Sequence, residues 1–232
     1  MSPLPTGQGG ELPRPGLARR TAFRPSPAPL LLLTLLLLLT LLAAACANDR
    51  SLRTREAALI DDLLRAEFAA QMETGVPLVL RDDLSLEYIS RSENRDRDAR
   101  RWLATAEQGG RPISQAVRDL LARNREQSSL YDLPALAVRH EILTIAEQDS
   151  LFLAAHTARR PWWDALGERF PGATGFVRLS RPGFSGDGSI AIIFLGWETG
   201  KGRSHGGLRL LDRTPQGWKP RPGFWGGVLT VS

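Results

Sequence analysis

A run of leucines near the amino terminus constrains this chain more than any other feature. Between Leu30 and Leu42 every residue is leucine except two threonines. Arginines precede the run, and three alanines, residues 43–45, separate it from Cys46. A basic region, a short apolar region and small residues at a cleavage site are the pattern of a secretory signal peptide. The sequence therefore predicts that residues 1–45 are an export signal.

The leucine run is short for a helix that crosses a membrane. As an α-helix it would be about 20 Å long at ~1.5 Å per residue, whereas the hydrocarbon core of a bilayer is ~30 Å thick. Counting on through the alanines to Ala47 nearly closes this gap. The length favours a cleaved signal, and an uncleaved signal anchor is the alternative.

The position of the cysteine adds a second signal. The three alanines followed by Cys46 resemble the lipobox of bacterial lipoproteins, in which the thiol receives a diacylglyceryl group and signal peptidase II cuts before the cysteine. In that motif a leucine stands three residues before the cysteine, whereas here Leu42 stands four residues before Cys46. The chain has no other cysteine, which excludes an intrachain disulfide framework and a cysteine-rich metal site.

The lipobox resemblance implies a domain organisation and a location. Residues 1–45 would be removed as a lipoprotein signal peptide, residues 46–54 would form a lipidated tether, and residues 55–232 would form a single domain. The membrane is then a partner through the lipid on Cys46, and two or three acyl chains give stable anchoring. The protein would belong to the cell envelope, and Ala47 after the cysteine favours the outer membrane in a cell with two.

The charge of the chain argues against a nucleic-acid partner. The formal net charge is +5. Residues 1–45 hold four of the 30 Lys and Arg residues and one of the 25 Asp and Glu residues, which is +3, so the remainder carries only +2. A surface that binds the phosphate backbone needs a much larger local excess of basic residues. We therefore expect no nucleic acid among the partners.

Helical periodicity dominates the first part of the remaining chain. Apolar residues recur three and four positions apart over residues 59–72, which predicts an amphipathic helix. A second helix is predicted around residues 113–121 after a proline, and a third over residues 162–170 with its aromatic side chains facing inward. Residues 76–80 are predicted as a short strand. The highly charged residues 90–101 have no apolar face and are expected to be a solvated loop or the start of a helix.

From residue 174 onward the pattern changes to that of β-strands. Four strands are predicted, at residues 176–180, 190–197, 208–212 and 228–232. The second is a continuous apolar run, which suggests burial on both faces, and residues 214–217 suit a β-turn. Helices first and strands last predict an α+β fold with N-terminal helices packed on one face of a C-terminal antiparallel β-sheet.

A set of motifs lies in the carboxy-terminal half. They are Trp163-Asp164-Ala165-Leu166, Arg169-Phe170-Pro171-Gly172, Leu179 to Ser185, Leu208 to Leu211 and Gly217-Trp218-Lys219, with Asn124 and Ser128 to Leu130 upstream. Together they resemble a β-rich module of uncharacterised bacterial secreted proteins and lipoproteins, over about Asp119 to the end. The resemblance implies no assigned chemistry. Some members carry paired cysteines in the Gly-rich turn, which residues 198–207 lack here.

Three patterns of catalytic or ligand-binding residues are incomplete. Residues 202–206 match G-x-S-x-G, but strand-like residues follow and no later histidine exists, as a serine hydrolase of that type requires. His140-Glu141 begins a zinc-binding HExxH pattern, but Thr144 stands where the second histidine belongs. Residues 196–201 are one residue short of a phosphate-binding loop. The sequence therefore indicates no catalytic residue, no metal site and no cofactor.

Two pairs of adjacent carboxylates, Asp61-Asp62 and Asp82-Asp83, also suggest acid–base chemistry at first sight. Adjacent acids on a helix point to different faces. We therefore expect them to be solvated charges and helix caps.

The tryptophans are the strongest candidates for ligand contact. Five lie in the last third of the chain: Trp162, Trp163, Trp197, Trp218 and Trp225. Aromatic faces on a Gly-rich sheet are one way to bind the sugar rings of cell-wall glycans. The alternative is that these side chains fill the core where sheet meets helix, with one of the two adjacent tryptophans half exposed to a partner.

These patterns predict a non-enzymatic envelope lipoprotein whose domain binds or supports a cell-wall glycan or an envelope protein. The alternative is an envelope hydrolase with a site assembled from distant residues. A pocket that holds His140, His156 or His205 beside carboxylates would favour the enzyme, and a flat sheet with exposed tryptophans would favour binding.

Overall fold

The chain divides into two compact units, Met1–Ala45 and Cys46–Ser232, in a computed structural model that describes residues 28–86, 102–199, 203–222 and 226–231. The described helices are α1 (Ala28–Glu67), α2 (Ala69–Glu73), α3 (residues 102–108), α4 (Arg111–Arg123), α5 (Ile145–Thr157) and α6 (Trp162–Arg169), with a 3₁₀ turn at Leu130–Asp132.

All described strands belong to one sheet. They are β1 (Leu78–Leu84), β2 (Ser128–Ser129), β3 (His140–Leu143), β4 (Gly175–Leu179), β5 (Gly183–Phe184), β6 (Ile190–Thr199), β7 (Arg203–Thr214), β8 (Gly217–Pro220) and β9 (Gly226–Val231). The order is β2-β1-β4-β6-β7-β8, with β3 beside β1, β5 beside β6 and β9 beside β7. The pairings are antiparallel except that β1 runs parallel to β3 and β4. The predicted α+β class is confirmed.

The second half of α1 packs on one face of the sheet. Its buried stripe consists of Leu59, Ile60, Leu63 and Leu64. This stripe joins one apolar cluster with strand residues such as Leu80 of β1, Val177 of β4 and Ile193 of β6. Each fully buried leucine or isoleucine contributes about 1.5–3 kcal/mol relative to an exposed one. The predicted helix is present, although it breaks at Phe68 and continues as α2.

The opposite face of the sheet is also covered by helices, so the expectation of a single covered face is wrong. Ile192 and Phe194 of β6 pack in one cluster with Leu120 of α4. Further along the sheet, Phe176 of β4 packs with Leu166 of α6. The physical reason is the composition of β6, whose side chains are apolar on both sides and must be shielded on both.

Helix α5 is absent from the sequence predictions. Ala155 is its only buried residue, so it has no apolar stripe for periodicity to detect. Its start does carry a local signal, because the Thr144 side chain accepts a hydrogen bond from the backbone N–H of Glu147 (3.1 Å). A threonine followed three residues later by glutamate is typical of a helix N-terminus.

Within Met1–Ala45, the leucines of α1 that the structure describes are exposed, including Leu35 to Leu39. By length and composition alone, residues 35–67 form one helix apolar enough to cross a membrane, the only such helix among the described residues. The chain thus has an apolar N-terminal helix compatible with a signal peptide or a membrane anchor.

Residues 46–54, predicted as a tether, are helical and belong to α1. Leu52 is partly buried against the cluster of the first sheet face. At the next residue, the Arg53 guanidinium donates to the backbone carbonyl of Asp132 (3.0 Å). The segment is therefore helical, and Leu52 and Arg53 fix its end to the domain while residues 46–51 are exposed.

Candidate functional site

The loop between β4 and β6 is held by hydrogen bonds and ion pairs from two helices. We call residues 180–189, which include β5, the clamped loop. The clamped loop contains residues 180–185 of the motif Leu179 to Ser185. Side chains of α1 and α4 both bind the loop. The contacts come from helix side chains to loop backbone, so they determine the shape of the loop.

Asn124, at the end of α4, holds the start of the clamped loop. Its amide nitrogen donates to the carbonyls of Leu120 (2.7 Å) and Arg181 (2.8 Å), and its amide oxygen accepts from the Arg181 N–H (2.8 Å). Asn124 is buried. Because these bonds satisfy a buried amide and a buried backbone together, the loop is fixed against the helix end.

Two more side chains of α4 hold the middle of the loop. The Asp119 carboxylate accepts from the Phe184 N–H (2.8 Å), and the Gln115 amide oxygen accepts from the Gly186 N–H (3.2 Å). Gly183 lets the helix approach this closely. A Cβ on Gly183 would lie 2.2 Å from the backbone oxygen of Ala116.

Glu56 of α1 is the buried charge at the centre of the site. Its side chain is fully buried, and Oε1 forms ion pairs with Arg123 and, at 2.9 Å, with Arg181. The other oxygen, Oε2, is buried without a hydrogen-bond partner among the described residues. One carboxylate thus joins α1, α4 and the clamped loop, a geometry that costs desolvation and depends on both cations.

Arg55, the preceding residue of α1, lies over the aromatic rings of the site. Its guanidinium carbon is 4.1 Å from the centroid of the Phe184 ring and 5.4 Å from that of Trp218. It donates to the carbonyl of Gly188 (2.7 Å). Burial lowers the pKa of the Arg55 guanidinium, and the positive charges of Arg213 and Arg123 act in the same direction. The carboxylates of Asp119 and Asp187 act in the opposite direction. The site therefore places arginines on an aromatic surface with carboxylates beside them.

Asp187 closes the far end of the clamped loop. It accepts hydrogen bonds from the Ser185 hydroxyl (2.6 Å) and from the Ser189 N–H (3.0 Å) and hydroxyl (2.9 Å). The Ser185 hydroxyl and the Ser189 groups stabilise the ionised form, which lowers the pKa of Asp187 to about 2. Asp187 is thus ionised at neutral pH.

A cavity of about 380 Å³ opens between α1, α4 and the clamped loop. Its walls are guanidinium, amide, carboxylate and aromatic groups, contributed by Leu52, Arg55, Gln115, Asp119, Arg123 and residues 184–186. We call it the arginine cavity. Two arginines beside an aromatic ring and an amide suit an anionic group such as a carboxylate or a phosphate.

Two further cavities lie on the other side of α1. One, of about 150 Å³, is lined by Arg53, Leu84, Ser128, Ser129, Asp132, Leu133 and Arg181. The other, of about 380 Å³, is lined by Cys46, Asp49, Arg50, Arg53, Asp132, Leu133 and Pro134. Cys46 itself is an exposed free thiol. The predicted lipidation residue therefore borders a cavity of the folded domain.

The predicted tryptophan surface is divided among separate places. Trp162 and Trp163 are half-buried beside Phe176 on one sheet face, with ring centroids 6.0 and 6.1 Å from it. Trp197 packs edge-on against Phe68 at 5.0 Å, within the cluster under α1. Trp218 is buried behind Phe184, with the ring centroids 5.7 Å apart, and does not line the arginine cavity. Trp225 lies outside the described residues.

The histidines are also separate. His140 lies on β3, His156 on α5 and His205 on β7, and none of them lines any of the three cavities. Within the described part of the chain, no group of His, Cys, Asp and Glu residues has the arrangement of a metal site. Ser204 and His205 of the G-x-S-x-G pattern lie within strand β7, where no nucleophile elbow forms.

Two of the four adjacent carboxylates, Asp61 and Asp83, are buried, contrary to expectation, whereas Asp62 and Asp82 are half-buried. Asp61 accepts from the backbone N–H groups of Ala137 and Val138, both at 2.9 Å, and Asp62 from that of Trp218 at 2.8 Å. Asp83 is buried and accepts from Arg81 at 2.9 Å. Asp82 receives a bond from the N–H of Ile145 at the start of α5. Asp61, Asp62 and Asp82 thus hold distant backbone in place, which adjacency in sequence cannot indicate, whereas Asp83 bonds side chains two residues away.

Sequence analysis missed Arg55, Glu56, Asp119 and Arg123 as residues of one site. Each lies on a predicted helix or within four residues of one, where charged residues are usually solvated. The signal that was available is Glu56 itself, which lies one turn before Leu59 and Ile60 and thus on the buried side of an amphipathic helix. Its partners cannot be identified without the tertiary structure.

Comparison with known proteins does not identify the site. No protein family, no curated protein and no solved structure matches the chain significantly. The function of the site must therefore be inferred from the geometry of the described residues.

Proposed function

We propose that the protein is exported, acylated at Cys46 and held on a membrane of the cell envelope, where its α+β domain acts as a non-catalytic binding module. The observation that carries the proposal is the place of Cys46. It follows an apolar, exposed helical segment directly, it is itself exposed, and the domain begins at the same residue. The thiol of a cysteine in this position is accessible to an acyltransferase. After cleavage, Cys46 becomes the first residue of the domain.

The Cys46→Ser substitution tests the anchor. In a bacterial host, the wild-type protein is expected to lose residues 1–45 and gain the mass of a diacylglyceryl group, whereas Cys46→Ser keeps its full length. Serine cannot accept the thioether-linked lipid, so cleavage before residue 46 does not occur. Mass spectrometry of the membrane fraction measures both changes, with the exposed Ser51→Ala as control. An intact leader on the wild-type protein would contradict the proposal.

The arginine cavity is the proposed binding site of the module. Its polar groups hold the loop backbone in place: Asp119 and Gln115 accept from it, and Arg55 donates to it. Positive charge from Arg55 and Arg123 gathers there over the Phe184 ring. A preformed site of this kind suits recognition of an anionic group, carboxylate or phosphate, on a small molecule or a glycan.

Anion binding at the arginine cavity is expected to raise the thermal stability of the processed protein. A ligand at ten times its Kd adds about 1.4 kcal/mol to the free energy of unfolding. We expect inorganic phosphate or citrate to raise the melting temperature of the wild type and of Arg118→Gln, whose side chain is exposed on α4, but not of Arg55→Gln. An equal rise in all three, or no rise with either anion, would exclude the cavity as an anion site.

A further inference from the structure

The segment that follows Cys46 leaves little distance between the lipid attachment site and the core. Six residues of continuous helix connect Cys46 to Leu52, about 9 Å at ~1.5 Å per residue. Leu52 packs against the cluster of the first sheet face, and Arg53 bonds the carbonyl of Asp132 at 3.0 Å. A domain acylated at Cys46 cannot move away from the bilayer as it would on a flexible linker.

The surface around Cys46 is formed by a second segment, residues 131–134. Asp132, Leu133 and Pro134 line the same cavity as Cys46. Tyr131 precedes them and is 67% exposed. The turn that presents Tyr131 is held by a capping box, in which the Ser129 hydroxyl accepts from the Tyr131 N–H and Asp132 accepts from the Ser129 N–H. The backbone of Tyr131 is therefore held in the turn that leads directly into the residues lining the cavity with Cys46.

We propose that this surface, formed by Cys46, Arg50, Tyr131, Leu133 and Pro134, lies against the phospholipid bilayer. The proposal rests on the acylation proposed above. A tyrosine has an apolar ring and a polar hydroxyl, which suits the level of the lipid headgroups. The exposed Arg50 lines the same cavity as Cys46, where Asp49 and Asp132 balance the charges of Arg50 and Arg53. The partner of this surface is thus the lipid bilayer. The acyl chains and the aromatic ring contribute more to its binding than net charge does.

A single introduced cysteine tests this surface, because acylation consumes the only native thiol. Tyr131→Cys places a label at the proposed surface. Gln216→Cys is the matched control, since Gln216 is exposed in the β7–β8 turn. That turn adjoins Asp62, which bonds the Trp218 N–H at 2.8 Å. Asp62 is sixteen residues after Cys46, about 24 Å along the helix.

The processed, acylated variants carry an environment-sensitive fluorophore in vesicles of phosphatidylethanolamine and phosphatidylglycerol that contain a doxyl-labelled lipid. We expect quenching at position 131 to exceed that at position 216 by at least about threefold, because an interfacial group lies at headgroup level. An acylated protein with equal quenching at both positions overturns the docking surface alone. A protein that mass spectrometry shows to lack the acyl group overturns the docking surface and the proposed anchor together.

Discussion

Replacing Glu56 by alanine is expected to destabilise the domain by about 3–5 kcal/mol, the range for removing one member of a buried ion pair. The carboxylate is fully buried and pairs with Arg123 and Arg181. Its loss leaves two cations close together without a counter-ion, and Arg55 adds a third nearby. Thermal or urea unfolding of the processed protein in detergent, followed by circular dichroism, measures the change.

Two variants make the Glu56 experiment decisive. Glu73→Ala removes an exposed glutamate from α2 and is expected to change stability by less than about 0.5 kcal/mol. Glu56→Gln keeps the shape of the side chain but removes its charge, so it remains measurable if the alanine variant does not fold. If Glu56→Gln is as stable as the wild type, the ion pairs do not hold the clamped loop.

A methyl group on Gly183 is expected to destabilise the domain by about 3 kcal/mol, the upper end for overpacking. In Gly183→Ala the new Cβ would lie 2.2 Å from both the Ala116 oxygen and the Leu120 nitrogen. These are backbone atoms of α4, so no side chain can rotate away. The helix must separate from β5, which weakens the bond from the Phe184 N–H to Asp119 (2.8 Å).

Gly167→Ala is the matched control with the opposite expected sign. Gly167 lies within α6, and a Cβ there meets no atom within 4 Å. Alanine restricts the unfolded chain and favours the helix, so this variant should be stabilised by about 0.4–1 kcal/mol. The unfolding midpoints of both variants are measured under the same conditions. The midpoint of Gly183→Ala reports the close backbone contact, and that of Gly167→Ala reports helix propensity. Similar midpoints would mean that α4 and β5 are not packed as closely as the structure has them.

The amphipathic helix over residues 59–72 and the strand around residues 190–197 were predictable because their burial is periodic along the chain. The hairpin at residues 214–217 was predictable from turn chemistry, and β7 and β8 meet there. Helix α5 was not predictable from periodicity because it is exposed along most of its length. Strand β3 was not predictable because its parallel partner, β1, is about sixty residues away in sequence.

The candidate site was even less predictable from sequence than the fold, because its residues come together only in the tertiary structure. The family resemblance had singled out Asn124 and the loop after Leu179, but no sequence rule joins them to Glu56. Glu56 is 67 residues from Arg123 and 125 residues from Arg181. Each of these residues alone is typical of a solvated surface. Only the packing of α1 between them makes one buried network.

The sequence by itself determined the apolar N-terminal helix, the position of the lone thiol and the buried strand β6, because each depends on composition or periodicity along a short stretch. The tertiary structure decided that helices cover both faces of the sheet, that residues 46–54 are helical and continue into a packed helix, and that Arg55 and Glu56 contact the clamped loop. Those outcomes depend on which distant surfaces exclude water together, and a linear pattern does not specify that.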